Sequence, residues 1–303
     1  MNYRQWIKAF RKTKYLQLLV IPGLIYYIIF HYIPMYGIVI SFKDYNMRLG
    51  IMGSPWVGLE NFYKFFAHPQ FFRLIRNTLI INLYQIVFVF PAPIVLALFL
   101  NEVRNKYYKK VVQTISYLPN FISMVAVAGM LFVFLSPQGG IINNILSLFG
   151  IEPIYFLGET KWFRTVYIAS DIWKGTGFGA IIYLAALSNV NIEMYEAATI
   201  DGASRVQKIF LISLPSILPT IIILLIFNIG GMMSLGTEKA LLLQNPATYE
   251  TSDIISTFVY RRGLLLAEYS FGAAVGVFNS IINVVLIAVT NYAAKKMTEI
   301  SLW

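Results

Sequence analysis

Tyr195-Glu196-Ala197-Ala198-Thr199-Ile200-Asp201-Gly202-Ala203-Ser204, continuing to Ile212-Ser213-Leu214-Pro215, is a polar, helix-favouring stretch set between two long apolar segments. Glu193, Met194, Glu196, Ala197 and Ala198 are good helix formers and Asn191 is a suitable N-cap, so residues 192–199 read as a short helix. Gly202 ends it, because glycine tolerates the positive φ of a tight reversal that a β-carbon resists. Residues 203–210 restart a helix toward the next apolar segment, and Pro215 perturbs that helix close to its root. Helix, glycine hinge and second helix make a knob that can sit in a groove on a partner. The plainer alternative is an ordinary polar loop between helices.

Composition decides the class. Hydrophobic residues make up 58% of the 303 residues, charged residues only 13%, and the mean hydropathy is +0.66. Soluble domains carry about a quarter charged residues. So much apolar surface is better solvated by a bilayer than buried in one soluble core. The net charge of +10 does not call for nucleic acid, since the basic residues collect beside apolar spans as membrane insertion requires. With no cysteine and only His31 and His68, far apart, the chain offers no thiol chemistry and no metal centre is expected. No Gly-rich phosphate loop ending in Gly-Lys-Ser/Thr is present, so ATP and its magnesium belong to another chain, and no cofactor is expected on this one.

Six spans of about 18–42, 74–100, 115–135, 163–187, 209–235 and 271–292 are expected, an all-α integral membrane fold in one transmembrane domain over residues 1–303. Pro22 and Pro34, Pro91 and Pro93, and Pro215 and Pro219 fall in or beside the first, second and fifth spans and predict kinks. The loop at 43–73 is rich in aromatic residues and suits the outer interface. Residues 236–270 read as a polar connecting stretch. Lys and Arg number thirteen in the N-terminal tail (Arg4, Lys8, Arg11, Lys12, Lys14), residues 101–112, the loop at 189–208 and the C-terminal tail, against eight in the opposite loops. The excess is sharpest in short loops, which places both termini and Glu196 in the cytoplasm.

Within the spans, Asp171 and Lys174 are three apart and share a helix face, which suits either a pair or a reach toward the outer interface; Phe178 continues that face, toward the path or toward lipid. Asn228 and Met232, four apart, form a common stripe on the fifth span. Arg261 and Arg262 suit either an acidic sugar or, as an exposed basic pair, a partner protein. Gly230-Gly231 and the Gly272–Gly276 run suit close helix packing.

The order Glu196-Ala197-Ala198, three residues, Gly202, nine residues, Ile212-x-Leu214-Pro215 resembles the signature of permease subunits of binding-protein-dependent ABC importers. The likeness continues through Ile21-Pro22-Gly23, Ser54-Pro55-Trp56-Val57-Gly58-Leu59-Glu60-Asn61-Phe62, Asn77-Thr78-Leu79, Leu100-Asn101-Glu102-Val103, Tyr117-Leu118-Pro119, Ile172-Trp173-Lys174, Ile182 to Leu187 and Leu302-Trp303. It is most similar to the polysaccharide and rhamnogalacturonan oligosaccharide permeases of Gram-positive bacteria. Gly236-Thr237-Glu238 departs from the Gly-Phe-Glu expected there.

The resemblance implies a type I importer fold in the plasma membrane. It also implies a second permease as heterodimer partner, a cytoplasmic ATPase dimer, an extracellular solute-binding lipoprotein and an oligosaccharide substrate. It assigns the grip of the ATPase to Glu196, Ala197, Ala198, Asp201, Gly202, Leu214 and Pro215. It sets Asp171, Trp173, Lys174, Phe178, Asn228 and Met232 beside the substrate path, where aromatic faces and hydrogen-bonding groups hold sugars. A membrane-bound glycosyl or phosphoryl transferase is the rival, but it needs clustered carboxylates or histidines, and the acids here are scattered. A passive channel or scaffold would need no docking knob.

Overall fold

A computed structural model describes residues 13–232 and 236–298. Arg4, Lys8, Arg11 and Lys12, the last residues of the expected fifth span and Leu302-Trp303 lie outside them. The described elements are all helical, and extended pairing among them is limited to an isolated bridge between Lys43 and Trp56. Four helices are long and apolar enough to cross a membrane, or up to six if each of two bent pairs counts as one span. The chain divides into two compact units.

The first unit comprises residues up to 67 together with 262–277. Its α1, Gln17–Phe42, buries none of its apolar window within the chain, so this face is left for lipid or another subunit. The loop that follows is tied back tightly. Asn61, at the start of α2 (Glu60–Phe66), donates to the carbonyls of Ser41 and Lys43, both at 3.0 Å. The amides of Val57 and Gly58 donate to Phe42 O at 2.9 and 3.0 Å, and Trp56 stacks on Phe42 with centroids 5.7 Å apart. Residues 54–62 thus form a clasp around the end of α1.

The second unit comprises residues 68–261 and those from 278 onward. It holds α3 (Phe71–Glu102), α4 (Lys106–Phe121), α5 (Met124–Phe134), α6 (Ile141–Ser147), α7 (Thr160–Ser188), α8 (Ile192–Ile200), α9 (Arg205–Gly230), α10 (Thr237–Leu243) and most of α11 (Tyr269–Thr298). One apolar cluster joins Ile94 and Ala97 of α3, Ala180, Tyr183 and Leu187 of α7 and Ile217 of α9. A second gathers Phe163 and Tyr167 of α7 with Ala128, Phe156, Leu157, Ala240, Leu243 and Ile254. The 236–261 part of the expected polar stretch is therefore folded into the core of this unit. Its apolar residues are spaced for short helical turns and are too few for a span-length signal. Gly230 also meets the expectation of close packing: a β-carbon there would come within 2.7 Å of Ile287 on α11.

Three prolines act alike, whereas Pro22 and Pro219 lie within regular α-helix. Pro34, Pro91 and Pro215 each follow a stretch of π-helix, at Ile28–Tyr32, Gln85–Val89 and Ile209–Ser213. In each case the amide preceding the proline reaches back five residues, from Ile33 to Ile28 O, Phe90 to Gln85 O and Leu214 to Ile209 O. A proline has no N–H for the carbonyl four residues back, and its ring crowds that carbonyl, so the turn before it widens.

The 115–135 segment is not one straight helix. The α4 and α5 helices meet at 100°, across Ile122 and Ser123. Pro119 tightens the end of α4 into a 3₁₀ turn, and Ser123 restarts the chain by accepting from the Ala126 amide at 3.2 Å.

Candidate functional site

The 192–215 stretch folds as helix, hinge and helix. Asn191 caps α8 by accepting from the Glu193 amide at 3.0 Å. The far end closes on Gly202, whose φ is +78°. Gly202 N donates to Thr199 O at 3.1 Å and Ala203 N to Ala198 O at 2.8 Å, the paired bonds of a Schellman motif. Ser204 then caps α9 in a reciprocal box with Gln207. Lys208 Nζ reaches back to Thr199 Oγ1 at 2.7 Å, bracing the second arm against the first.

The motif residues fall into two groups. Glu196, Ala197, Asp201 and Gly202 are exposed and Ala198 is half-buried, so a partner can reach this end. Ile212 and Ser213 are buried, and Leu214 packs on the cluster of α3, α7 and α9, while Pro215 itself is exposed. The two groups are joined by one polar contact: Tyr195 OH and Ser213 Oγ lie 2.9 Å apart, and Ser213 is 1% exposed. The exposed arm is thereby tied to the π-helical root of α9. Ile200 (86% exposed) and Ile192 (70%) add apolar surface around the knob that the chain leaves uncovered.

Asp171 and Lys174 do not pair. Asp171 Oδ1 lies 2.7 Å from Lys239 Nζ of α10, and its other oxygen accepts from Gln85 Nε2 at 3.3 Å. Lys239 is 3% exposed, donates also to Tyr167 O and stands 4.1 Å over the Tyr167 ring. A buried ammonium demands a carboxylate far more strongly than a half-exposed one does, so Lys239 takes Asp171. Burial draws the Lys239 ammonium below its ordinary range, and the Asp171 carboxylate opposes that shift. Lys174 donates instead to Asn120 O and Ile122 O, at 2.8 and 2.7 Å. These carbonyls lie at the break after α4, where helix-end oxygens need donors and favour a cation.

The remaining path candidates are dispersed. Phe178 meets Phe121 edge-on at 5.9 Å and so shares with Lys174 the face toward that break. Trp173 lines a different feature, an apolar cavity of about 440 Å³ with Met130, Phe134, Phe156 and Trp162. Asn228 and Met232 are half-buried near the end of α9, and the Asn228 Oδ1 is buried without a hydrogen-bond partner. The supposed exposed basic pair is not one: an Arg261 Nη donates to both oxygens of buried Asp253 at 2.8 and 2.7 Å, and Arg262 Nε pairs with Glu268 at 2.8 Å. Sequence reasoning missed Lys239 and Asp253, which sit outside the spans, and Gln85, a polar residue within the second span.

Residues 91–299 match the family described as binding-protein-dependent transport system inner membrane component. Protein LplB of Bacillus subtilis (strain 168) is 45% identical over 294 residues, which is 97% of this chain and 92% of the relative. The polygalacturonan/rhamnogalacturonan transport system permease protein YteP of the same organism is 46% identical over 288 residues, covering 95% and 90%. Among solved structures, a bacterial ABC transporter involved in the import of the acidic polysaccharide alginate contains a chain of 44% identity. It superposes with a TM-score of 0.90 over 97% of this chain and 99% of that one. A further crystal structure holds the alginate transporter in complex with an alginate pentasaccharide-bound periplasmic protein, with a chain at 43% identity and a TM-score of 0.90. With the family matched over most of its length and the helical architecture shared, the chain belongs to the inner membrane components of binding-protein-dependent transport systems, which are permeases and not themselves enzymes.

Proposed function

We propose that this chain is the six-span permease subunit of an ATP-driven importer of oligosaccharides, a multi-pass protein of the plasma membrane with both termini in the cytoplasm. A second permease completes the translocation unit. A cytoplasmic ATPase dimer, which binds the ATP and magnesium, drives it, and an extracellular solute-binding lipoprotein delivers the sugar. The observation that carries this reading is the knob at 192–215, exposed at Glu196, Ala197, Asp201 and Gly202 and rooted through Tyr195 and Ser213 in the buried base of α9. The basic residues on the same side supply the orientation. Homologues named for polygalacturonan, rhamnogalacturonan and arabinooligosaccharide transport support the sugar class.

Trp173 and Phe178 keep partly open aromatic faces, at 46% and 45% exposure. Asn228 keeps a free amide oxygen and Met232 continues its stripe; these four are the path residues. Asp171 and Lys174 are engaged by internal contacts and serve the framework of the path.

Purification of the chain from its native membrane tests the assembly. A second permease, an ATPase and a binding lipoprotein should accompany it, whereas isolation without any ATPase would refute the reading. Glu196→Lys should abolish sugar uptake and sugar-stimulated ATP hydrolysis while the protein still inserts normally; normal uptake would remove the coupling role.

A further inference from the structure

Four arginines crowd the start of α3 and α7 and the 249–261 turns, with a single carboxylate ion-paired among them. Arg73 and Arg261 both pair with Asp253, at 3.7 and 2.7 Å, and Asp253 is fully buried. Arg76 and Arg164 have no such partner among the described residues. Both donate to the same neutral atom, Asn77 Oδ1, at 3.4 and 3.0 Å, so the two guanidiniums lie within the sum of those distances. Arg76 also donates to the backbone carbonyl of Glu250 at 3.0 Å; the exposed Glu250 carboxylate attracts Arg164 from a distance but makes no ion pair within 4 Å among the described residues.

Holding the turn in place does not account for these charges. The Asn77 amide already bonds Glu250 O and Asp253 O, each at 3.0 Å, and a neutral donor would serve the same carbonyls. Two like charges at hydrogen-bonding distance of one neutral oxygen repel each other unless an anion joins them. The donors are also incompletely used. Arg164 Nε, Arg73 Nε and one Arg261 Nη are buried with no hydrogen-bond partner, and a buried unsatisfied donor is a costly feature that calls for an acceptor. Arg76 is exposed and the Arg73 side chain is 32% exposed, so the cluster opens to solvent.

We infer that Arg76 and Arg164, backed by Arg73, form a carboxylate-binding subsite that takes the uronate groups of an acidic oligosaccharide at the extracellular entrance. This rests on the importer reading, which puts the N-terminal ends of α3 and α7 outside. Guanidinium forks match carboxylates in shape as well as charge. Acidic sugars are already named for relatives of this chain; what the inference adds is the residues that would hold the carboxylates, outside the path candidates on α7 and α9.

The test uses the complete importer in ATP-loaded proteoliposomes with two probes, a uronate pentasaccharide and the same sugar with its carboxylates reduced to hydroxymethyl groups. The wild type should move the acidic form at least tenfold faster. Arg76→Gln should remove most of that preference with little change for the neutral form, and Arg76→Lys should restore part of it. Arg164→Lys, which keeps the charge of the less exposed partner, should retain more of the preference than Arg76→Gln. A wild type that moves both probes equally overturns the inference and leaves the importer reading intact; one that moves neither overturns both. Equal loss for both probes in Arg76→Gln marks a structural role. Weaker docking of the sugar-free binding protein, with the preference unchanged, marks the cluster as a protein contact. Either result overturns the inference.

Discussion

Replacing Gly202 with alanine isolates the hinge of the knob from everything around it. No heavy atom lies within 4 Å of the place a β-carbon would take, so the substitution meets no neighbour. What it meets is its own backbone, held at φ +78°. An L residue in that region costs about 1–2 kcal/mol, which is roughly a 5- to 30-fold change in the ratio of closed to open hinge. Asparagine enters the left-handed region at lower cost and should lose less. The readout is amide hydrogen exchange at Ala203, whose N–H donates to Ala198 O at 2.8 Å only while the reversal is closed. Protection there should fall by the stated factor in Gly202→Ala and by less in Gly202→Asn, with protection in the middle of α7 unchanged. Sugar-stimulated ATP hydrolysis should rank the three proteins in the same order. Unchanged protection in the alanine variant would refute the strain argument, and equal losses for alanine and asparagine would show that side-chain bulk is the cause.

The buried ion pair and the path residues give two further expectations. Asp171→Asn leaves Lys239 buried without a carboxylate, at a cost of about 3–5 kcal/mol, whereas Asp171→Leu combined with Lys239→Met should recover most of it; thermal unfolding in detergent decides, and a mild single variant would show that the pair is not a structural tie. Trp173→Ala and Asn228→Ala should weaken sugar transport without detaching the ATPase. Transport kinetics unaltered in both would take these residues off the path.

The knob was legible from sequence because every signal that builds it is local. Asn191 lies beside the helix it caps, Gly202 is the residue that must turn, and the backbone bonds around it span five residues or fewer. The same holds for the disturbed turns before Pro34, Pro91 and Pro215, whose cause sits in the chain. A proline indicates that a helix is disturbed but not the form of the disturbance. The π-turns come from where the preceding amide finds a carbonyl, and this depends on how the whole helix is held. The break between α4 and α5 was harder to place, because Pro119 alone does not say that the chain turns there and the residue that tends its open carbonyls, Lys174, comes from another helix.

Spacing along one helix did not decide the charged pair, and the reason is general. Two residues three apart can meet at a gain of about 0.2–0.5 kcal/mol, whereas an unpaired buried charge costs several times that. The pairing is therefore set by the group with the worst alternative. Here that group is Lys239, enclosed by Tyr167 and almost without solvent, and periodicity gave no sign of it because it sits in a short helix outside any span. Lys174 has a better alternative in the helix-end carbonyls. The same reasoning gives the arginine cluster its significance. Asp253 pairs with Arg73 and Arg261, and Arg76 and Arg164 hydrogen-bond only neutral oxygens although the fold has brought them together. Where framework charges such as Lys239 find close counter-ions within the chain, a pair with no carboxylate in contact among the described residues is the place to look for an anion arriving from outside.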